Sequence, residues 1–113
     1  MLVTRFNEAE SYEVPNHRHY TSLRHFKIGP DGSRAINLGV SHFLPGGGAG
    51  PDGSPSEKVY FVLAGELTVI AGGRETILRR YDSCLIAPDE VREVVNRGHE
   101  VCTIAVVVVP LNR

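Results

Sequence analysis

Glu57-Lys58-Val59-Tyr60-Phe61-Val62-Leu63-Ala64-Gly65-Glu66 carries a run of β-branched and aromatic residues that stops at Ala64-Gly65 and resumes from Glu66 to Ala71. Two short runs of this composition joined by a turn signal read as neighbouring strands. The same punctuation recurs outward in both directions. Ser22 to Ile28, Ala35 to Leu44, Glu75 to Leu78, Ser83 to Ala87, Val91 to Val95 and Val101 to Val108 are further runs of strand type, eight in all. Twelve Gly and seven Pro leave no stretch with a sustained helical period. The expected class is all-β, a barrel or jelly roll of short antiparallel strands.

At 113 residues and 12.4 kDa the chain has room for one core, which excludes multidomain enzymes. Twelve basic against thirteen acidic residues, with no basic run, give no footprint for a nucleic-acid partner. The longest apolar stretch, Ile104 to Pro110, is too short to span a bilayer, so no membrane role is expected. The N-terminal residues carry Glu8, Glu10 and Glu13 and no apolar signal region, which points to the cytoplasm. Cys84 and Cys102 lie inside apolar runs and read as small buried hydrophobes. Pro15-Asn16-His17-Arg18-His19-Tyr20 is polar, so residues 1–21 are expected to form an arm and residues 22–113 the barrel. Val101 to Val108 is apolar on both faces, and a strand of that kind needs cover on its outer side. A second copy of the chain, forming a homodimer, is the expected cover.

Two segments resemble the motifs of the cupin superfamily. Pro45-Gly46-Gly47-Gly48, Asp52-Gly53-Ser54 and the run from Glu57 to Glu66 are similar to its first motif. Tyr81-Asp82 through Pro88-Asp89-Glu90 to Asn96 is similar to the second, in which Gly-Asp opens a strand, Pro and Gly form a turn, and a His and an Asn follow. The resemblance implies a cupin-type (RmlC-like) barrel. Metal-binding cupins place His-x-His and a Glu in the first motif and a His in the second. Carried over, those positions hold Asp52, Ser54, Lys58 and Arg92. A neutral Ser is a weak ligand, and Lys and Arg repel a divalent cation. The usual metal site is therefore expected to be lost, and no cofactor is expected.

Strand alternation keeps Lys58, Tyr60 and Val62 on one face, which the resemblance turns into the barrel together with Arg92. Two cations at a barrel mouth suit a small organic acid: Arg92 would grip a carboxylate bidentately and Lys58 would act as a point charge. Burial beside Arg92 would lower the Lys58 pKa and make it a candidate acid or base, with Asp52 setting its charge and Tyr60 as proton donor. Phe43, Ser54, Cys84 and Ile86 are expected to line the substrate site. The same residues also admit a bland reading, in which Lys58 pairs with Asp52, Glu57 or Glu93 in an internal ion network and Tyr60 is an aromatic core residue.

The histidines offer another possibility. His17 and His19 fall on one side of an extended arm, and with His42 they make a non-standard site for Zn, Fe or Ni, or else surface and interface hydrogen-bonding residues. The glycines from Gly46 to Gly53 lack the Lys-Ser/Thr of a phosphate-binding loop and read as a flexible loop at the barrel mouth. The expected function is metal-independent proton-transfer chemistry of isomerase, decarboxylase, cyclase or lyase type on a carboxylated or oxygenated molecule. A dioxygenase is disfavoured because its iron ligands are replaced. The alternatives are a non-catalytic small-molecule-binding cupin and a metalloenzyme built on the histidines.

Overall fold

Sixteen consecutive residues, Asn37–Asp52, form the strand around which the barrel is organised. The computed structural model describes residues 1–111, in which nine strands follow a short 3-10 turn at Phe6–Glu8. They are β1 (Glu10–Tyr12), β2 (His17–Phe26), β3 (Asn37–Asp52), β4 (Ser56–Ala64), β5 (Leu67–Ala71), β6 (Arg74–Leu78), β7 (Ser83–Ile86), β8 (Arg92–Val95) and β9 (Cys102–Pro110). The order β6-β5-β8-β3-β9-β4-β7, with β2 also on β3 and β1 on β2, wraps one antiparallel sheet into a nearly closed barrel. The all-β expectation holds. No helix among the described residues is long and apolar enough to cross a membrane.

The length of β3 departs from the expected loop between Pro45 and Pro55. Asn37 to Phe43 pairs with β9, Gly48 to Asp52 pairs with β8, and β2 runs beside both halves. The glycines let one strand serve two partners. Gly46, at φ +84°, takes the corner, and a Cβ on Gly47 or Gly48 would collide with the carbonyl oxygens of His19 or Val94. What reads as loop composition is instead a demand for close backbone approach, and Gly47 to Gly50 are buried.

Asn96 locks this corner. It is fully buried; its side-chain amide donates to the carbonyls of Phe43 (2.9 Å) and Glu100 (2.8 Å), and its Oδ1 accepts from Gly98 N–H at 2.9 Å. Its backbone exchanges bonds with the glycine strand, N–H to Gly47 O and O from Gly46 N–H, both 2.8 Å. Below it the core packs Phe43, Val62, Leu67, Val94, Cys102 and Ile104, each no more than 2% exposed. Burying a side chain of this size contributes about 1.5–3 kcal/mol.

The expected boundary between an arm at 1–21 and a barrel at 22–113 falls inside β2, which already pairs with β3 from His17. Residues 112–113 lie outside the described residues. The N-terminal residues pack against the barrel: Thr4 Oγ1 donates to His25 O at 2.8 Å, and the Phe6 ring meets His42 edge-on at 6.0 Å.

Gly48→Ala, which leaves every side chain in place, is expected to cost at least about 1–3 kcal/mol by forcing β3 and β8 apart. A urea titration that gave a wild-type midpoint would remove the steric account of this strand.

Candidate functional site

Between β2, β3, β4, β8 and β9 the barrel holds a cavity of about 180 Å³, with Tyr12 and Val14 also in its lining. The space suits one small molecule. Its polar lining includes His17, Arg24, Asn37, Lys58, Tyr60 and Arg92, and among the described residues no Asp or Glu lines it. Phe43 and Ala49 form part of the apolar wall, and Ser22 and Ser41 bond each other at 2.8 Å.

Arg92 makes more hydrogen bonds than the other groups of this polar lining. It begins β8, and its register opposite Asp52 of β3 and Ala71 of β5 points it inward, leaving it 6% exposed. Its Nε–H donates to the Tyr60 hydroxyl oxygen at 2.6 Å, and Nη1 donates to Asp52 Oδ1 at 2.5 Å. Tyr60 accepts from the guanidinium, so its own O–H is left to donate elsewhere. Burial pushes the phenol pKa up, against the pull of the Arg92 charge, and keeps Tyr60 protonated.

Lys58 stands two residues before Tyr60 on the same face of β4. Its ammonium donates to Ser54 Oγ at 2.7 Å. Burial lowers its pKa, and the nearby Arg92 charge lowers it further, with Asp52 opposing. The structure thus gives Lys58 a hydroxyl partner and assigns Asp52 to Arg92, where a Lys58–Asp52 pairing was one expectation. Glu93, a second expected partner, is held by Arg18 at 3.0 Å.

His17 enters from the first residue of β2, paired with Ala49. Its ring lies 5.0 Å from Tyr20 and 6.3 Å from Phe43, centroid to centroid. Nδ1 is 2.9 Å from the Pro15 carbonyl, which can only accept, so Nδ1 carries the proton and a neutral ring keeps its lone pair on Nε2. Burial lowers the His17 pKa, the Pro15 bond opposes this, and the Arg92 charge lowers it again.

The other two histidines do not join it. A bulge between Arg18 and Tyr20 breaks the alternation, and His19 sits there at φ +48°, exposed. His42 faces the outside of β3, its Nδ1 3.0 Å from Thr103 Oγ1. The expectation that an extended arm shows His17 and His19 on one side fails at this bulge. Among the described residues no group of three or more His, Cys, Asp or Glu is placed to hold a metal ion. The resemblance-derived metal positions do come together, but as a carboxylate, a hydroxyl, an ammonium and a guanidinium linked as Arg92–Asp52 and Lys58–Ser54. A guanidinium has only donors, so this set does not fit a divalent cation.

Of the expected lining residues, Phe43 is in the cavity and Ser54 holds Lys58. Cys84 and Ile86 are on β7, beyond β4, beside Val69 and Leu78 in a shallow depression away from the cavity. Burial raises the Cys84 thiol pKa, which disfavours a nucleophilic thiolate. His17 as an uncharged acceptor, Arg24 and Asn37 were not predicted as cavity residues. Arg24 lies in the run Ser22 to Ile28, already read as a strand, but no motif residue marks that strand as part of the site.

A family model described as Cupin domain matches residues 39–109. A curated relative, the β-D-galactosidase Rv1717 of Mycobacterium tuberculosis, is 36% identical over 97 residues, covering 86% of this chain and 84% of that protein. Among solved structures, a predicted oxalate decarboxylase from Thermotoga maritima superposes with a TM-score of 0.82 at 19% identity, covering 98% of this chain and 100% of that one. The polyketide cyclase RemF from Streptomyces resistomycificus gives 0.82 at 18% identity, over 100% and 87% of the two chains.

The lowered His17 pKa carries a sign for stability. The unfolded ring, near 6.5, binds a proton that the folded ring resists, so this contribution is present above 6.5 and is lost as pH falls through the lower folded value. Urea midpoints at pH 7.5 and pH 5 should therefore drop more for the wild type than for His17→Gln. Equal drops in the two proteins, or an NMR titration midpoint for His17 above 6.5, would remove the neutral ring.

Proposed function

The chain belongs to the cupin domain family, whose fold selects no single chemistry, and we propose that it is a metal-independent enzyme catalysing proton transfer on a small organic acid. The carrying observation is the charge of the cavity wall: Lys58 and Arg92 line it, and no Asp or Glu among the described residues does. Lys58 anchors the substrate carboxylate by a charge-assisted hydrogen bond, which in a low-dielectric cavity is stronger than in water. Arg92, fixed by Asp52, holds the Tyr60 oxygen so that its O–H is presented to the substrate.

His17 Nε2 accepts the proton, and Tyr60 O–H donates to the oxygen on which negative charge develops. Proton removal from carbon beside a carbonyl, with return at another position, gives isomerisation. Loss of a leaving group instead gives the lyase outcome. Lys58, with its depressed pKa, is a second group able to exchange a proton in this space. The free thiols of Cys84 and Cys102 suit the reducing cytoplasm, where we place the protein.

A second reading, glycoside hydrolysis, follows from the 36% identity to a protein named β-D-galactosidase. Glycosidases of the common kind use two carboxyl groups about 5–9.5 Å apart. Among the described residues no Asp or Glu lines the cavity, and Asp52, which reaches it only through Arg92, is committed to that guanidinium, which ranks this reading below the first.

Proton transfer is measured by NMR as deuterium uptake in D₂O from a panel of small 2-oxo and 3-oxo carboxylic acids. The wild type is expected to exchange at least one of them, with a loss of about 10²–10⁴-fold in His17→Gln. Exchange unchanged in both His17→Gln and Lys58→Gln would sink the reading, and turnover of a chromogenic β-galactoside in its place would establish the second.

We also propose a two-fold dimer through the face opposite the cavity, where Leu85 is 58% exposed and lies beside Val59 and, across β4, Val107. Light scattering should give twice the chain mass, and Val59→Glu should halve it; a monomeric wild type would refute the dimer.

A further inference from the structure

Arg24 is the one cavity cation for which the reading above has no use. Its guanidinium carbon stands 4.1 Å from the centre of the Tyr12 ring, and both side chains line the cavity. The ion pairs among the described residues join Arg18 to Glu93, Arg79 to Glu66, Arg92 to Asp52 and Arg97 to Glu75. Among the described residues neither Arg24 nor Lys58 has a carboxylate partner. Stacking on Tyr12 orients the Arg24 fork without using its N–H donors, which stay available to an acceptor from outside the protein.

The two uncompensated cations reach the cavity from different walls. Lys58 is on β4 and Arg24 on β2, with β9 and β3 between them. Three strand spacings separate them, roughly 14 Å along the sheet. The register keeps them near one end of the barrel: Arg24 is opposite Gly39, Gly39 opposite Val106 and Val106 opposite Tyr60, two residues from Lys58. Asn37 on the intervening strand accepts from Ile28 N–H through its side-chain Oδ1 at 2.8 Å, which leaves its amide nitrogen to donate. Donors therefore stand on two walls of a small space with no anion between them. A single carboxylate held on Lys58 leaves Arg24 unsatisfied.

We propose that the ligand carries two carboxylates on a short carbon skeleton, one held by Lys58 and the other by Arg24. This rests on the organic-acid reading of the cavity and narrows it to dicarboxylates. Arg24 is then the specificity residue, because it distinguishes a diacid from the monoacid that Lys58 alone holds. The charges also balance, with two negative groups against the two cavity cations that have no carboxylate partner among the described residues.

Calorimetric titration of the full chain tests this with succinate, glutarate, butyrate and inorganic phosphate, on the wild type, Arg24→Gln and Lys58→Gln. One of the two diacids is expected to bind at least about tenfold tighter than butyrate, the worth of one charge-assisted hydrogen bond. That margin should vanish in Arg24→Gln, with butyrate affinity unchanged, whereas Lys58→Gln should weaken both classes. Equal affinity for diacids and butyrate in the wild type, with both still weakened by Lys58→Gln, would overturn the dicarboxylate inference and leave the organic-acid reading standing. Phosphate binding tighter than either diacid would overturn it as well, and no binding by any carboxylate would remove both. The wild-type comparison decides even if a variant fails to fold.

Discussion

A guanidinium that cannot lose its proton is enclosed in this barrel, and the arrangement around the cavity answers to it. Moving a cation out of water costs several kcal/mol, and removing one partner of a buried pair costs about 3–5 kcal/mol. Asp52 and Tyr60 supply the offset for Arg92, each by one short hydrogen bond. A Cβ on Gly50 would meet the Arg92 carbonyl oxygen and crowd Nη1. The neutral His17 and the depressed Lys58 follow in part from the same charge. One fixed cation therefore orients a phenol, holds a carboxylate and shifts two other titrations.

Much of the barrel is legible in the sequence because strand patterning and turn chemistry agree. The runs read at Lys58–Ala64, Glu66–Ala71, Ser83–Ala87 and Val91–Val95 become β4, β5, β7 and β8 within two residues at each end. The glycine-rich segment was misread for a physical reason. Glycine marks a turn when a positive φ is required and a buried strand when a neighbouring backbone comes too close for a Cβ, and composition does not separate these cases. Gly46 is of the first kind, and Gly47 and Gly48 are of the second.

The site divides along the same line. Asp52, Ser54, Lys58 and Arg92 are brought together as the motif resemblance implies, because they occupy the motif positions at the end of β3, in the β3–β4 connection, on β4 and at the start of β8. Which cation takes which partner was not legible, since it depends on Arg92 being buried and on Ser54 lying within reach of Lys58. Cys84 and Ile86 have the inward parity expected of them, yet parity does not say which part of a barrel interior is filled. His17 escaped because a polar N-terminal segment resembles an appendage until its pairing with β3 is seen, and Arg24 because the strand read at Ser22 to Ile28 carries no motif residue.

That pairing has a consequence for how this cavity can change over evolutionary time. The wall built by β3 includes Gly39, and the same strand carries Gly48 and Gly50, where a Cβ would collide with backbone oxygens, so it offers little room for variation. Tyr12, Val14, His17, Ser22 and Arg24 instead fall within one short hairpin at the edge of the motif strands. New ligand preferences can thus be acquired by exchanging a contiguous cassette near the N-terminus while the Arg92 anchor stays unaltered. The motif strands then act as a chassis, and the leading segment as the interchangeable tool.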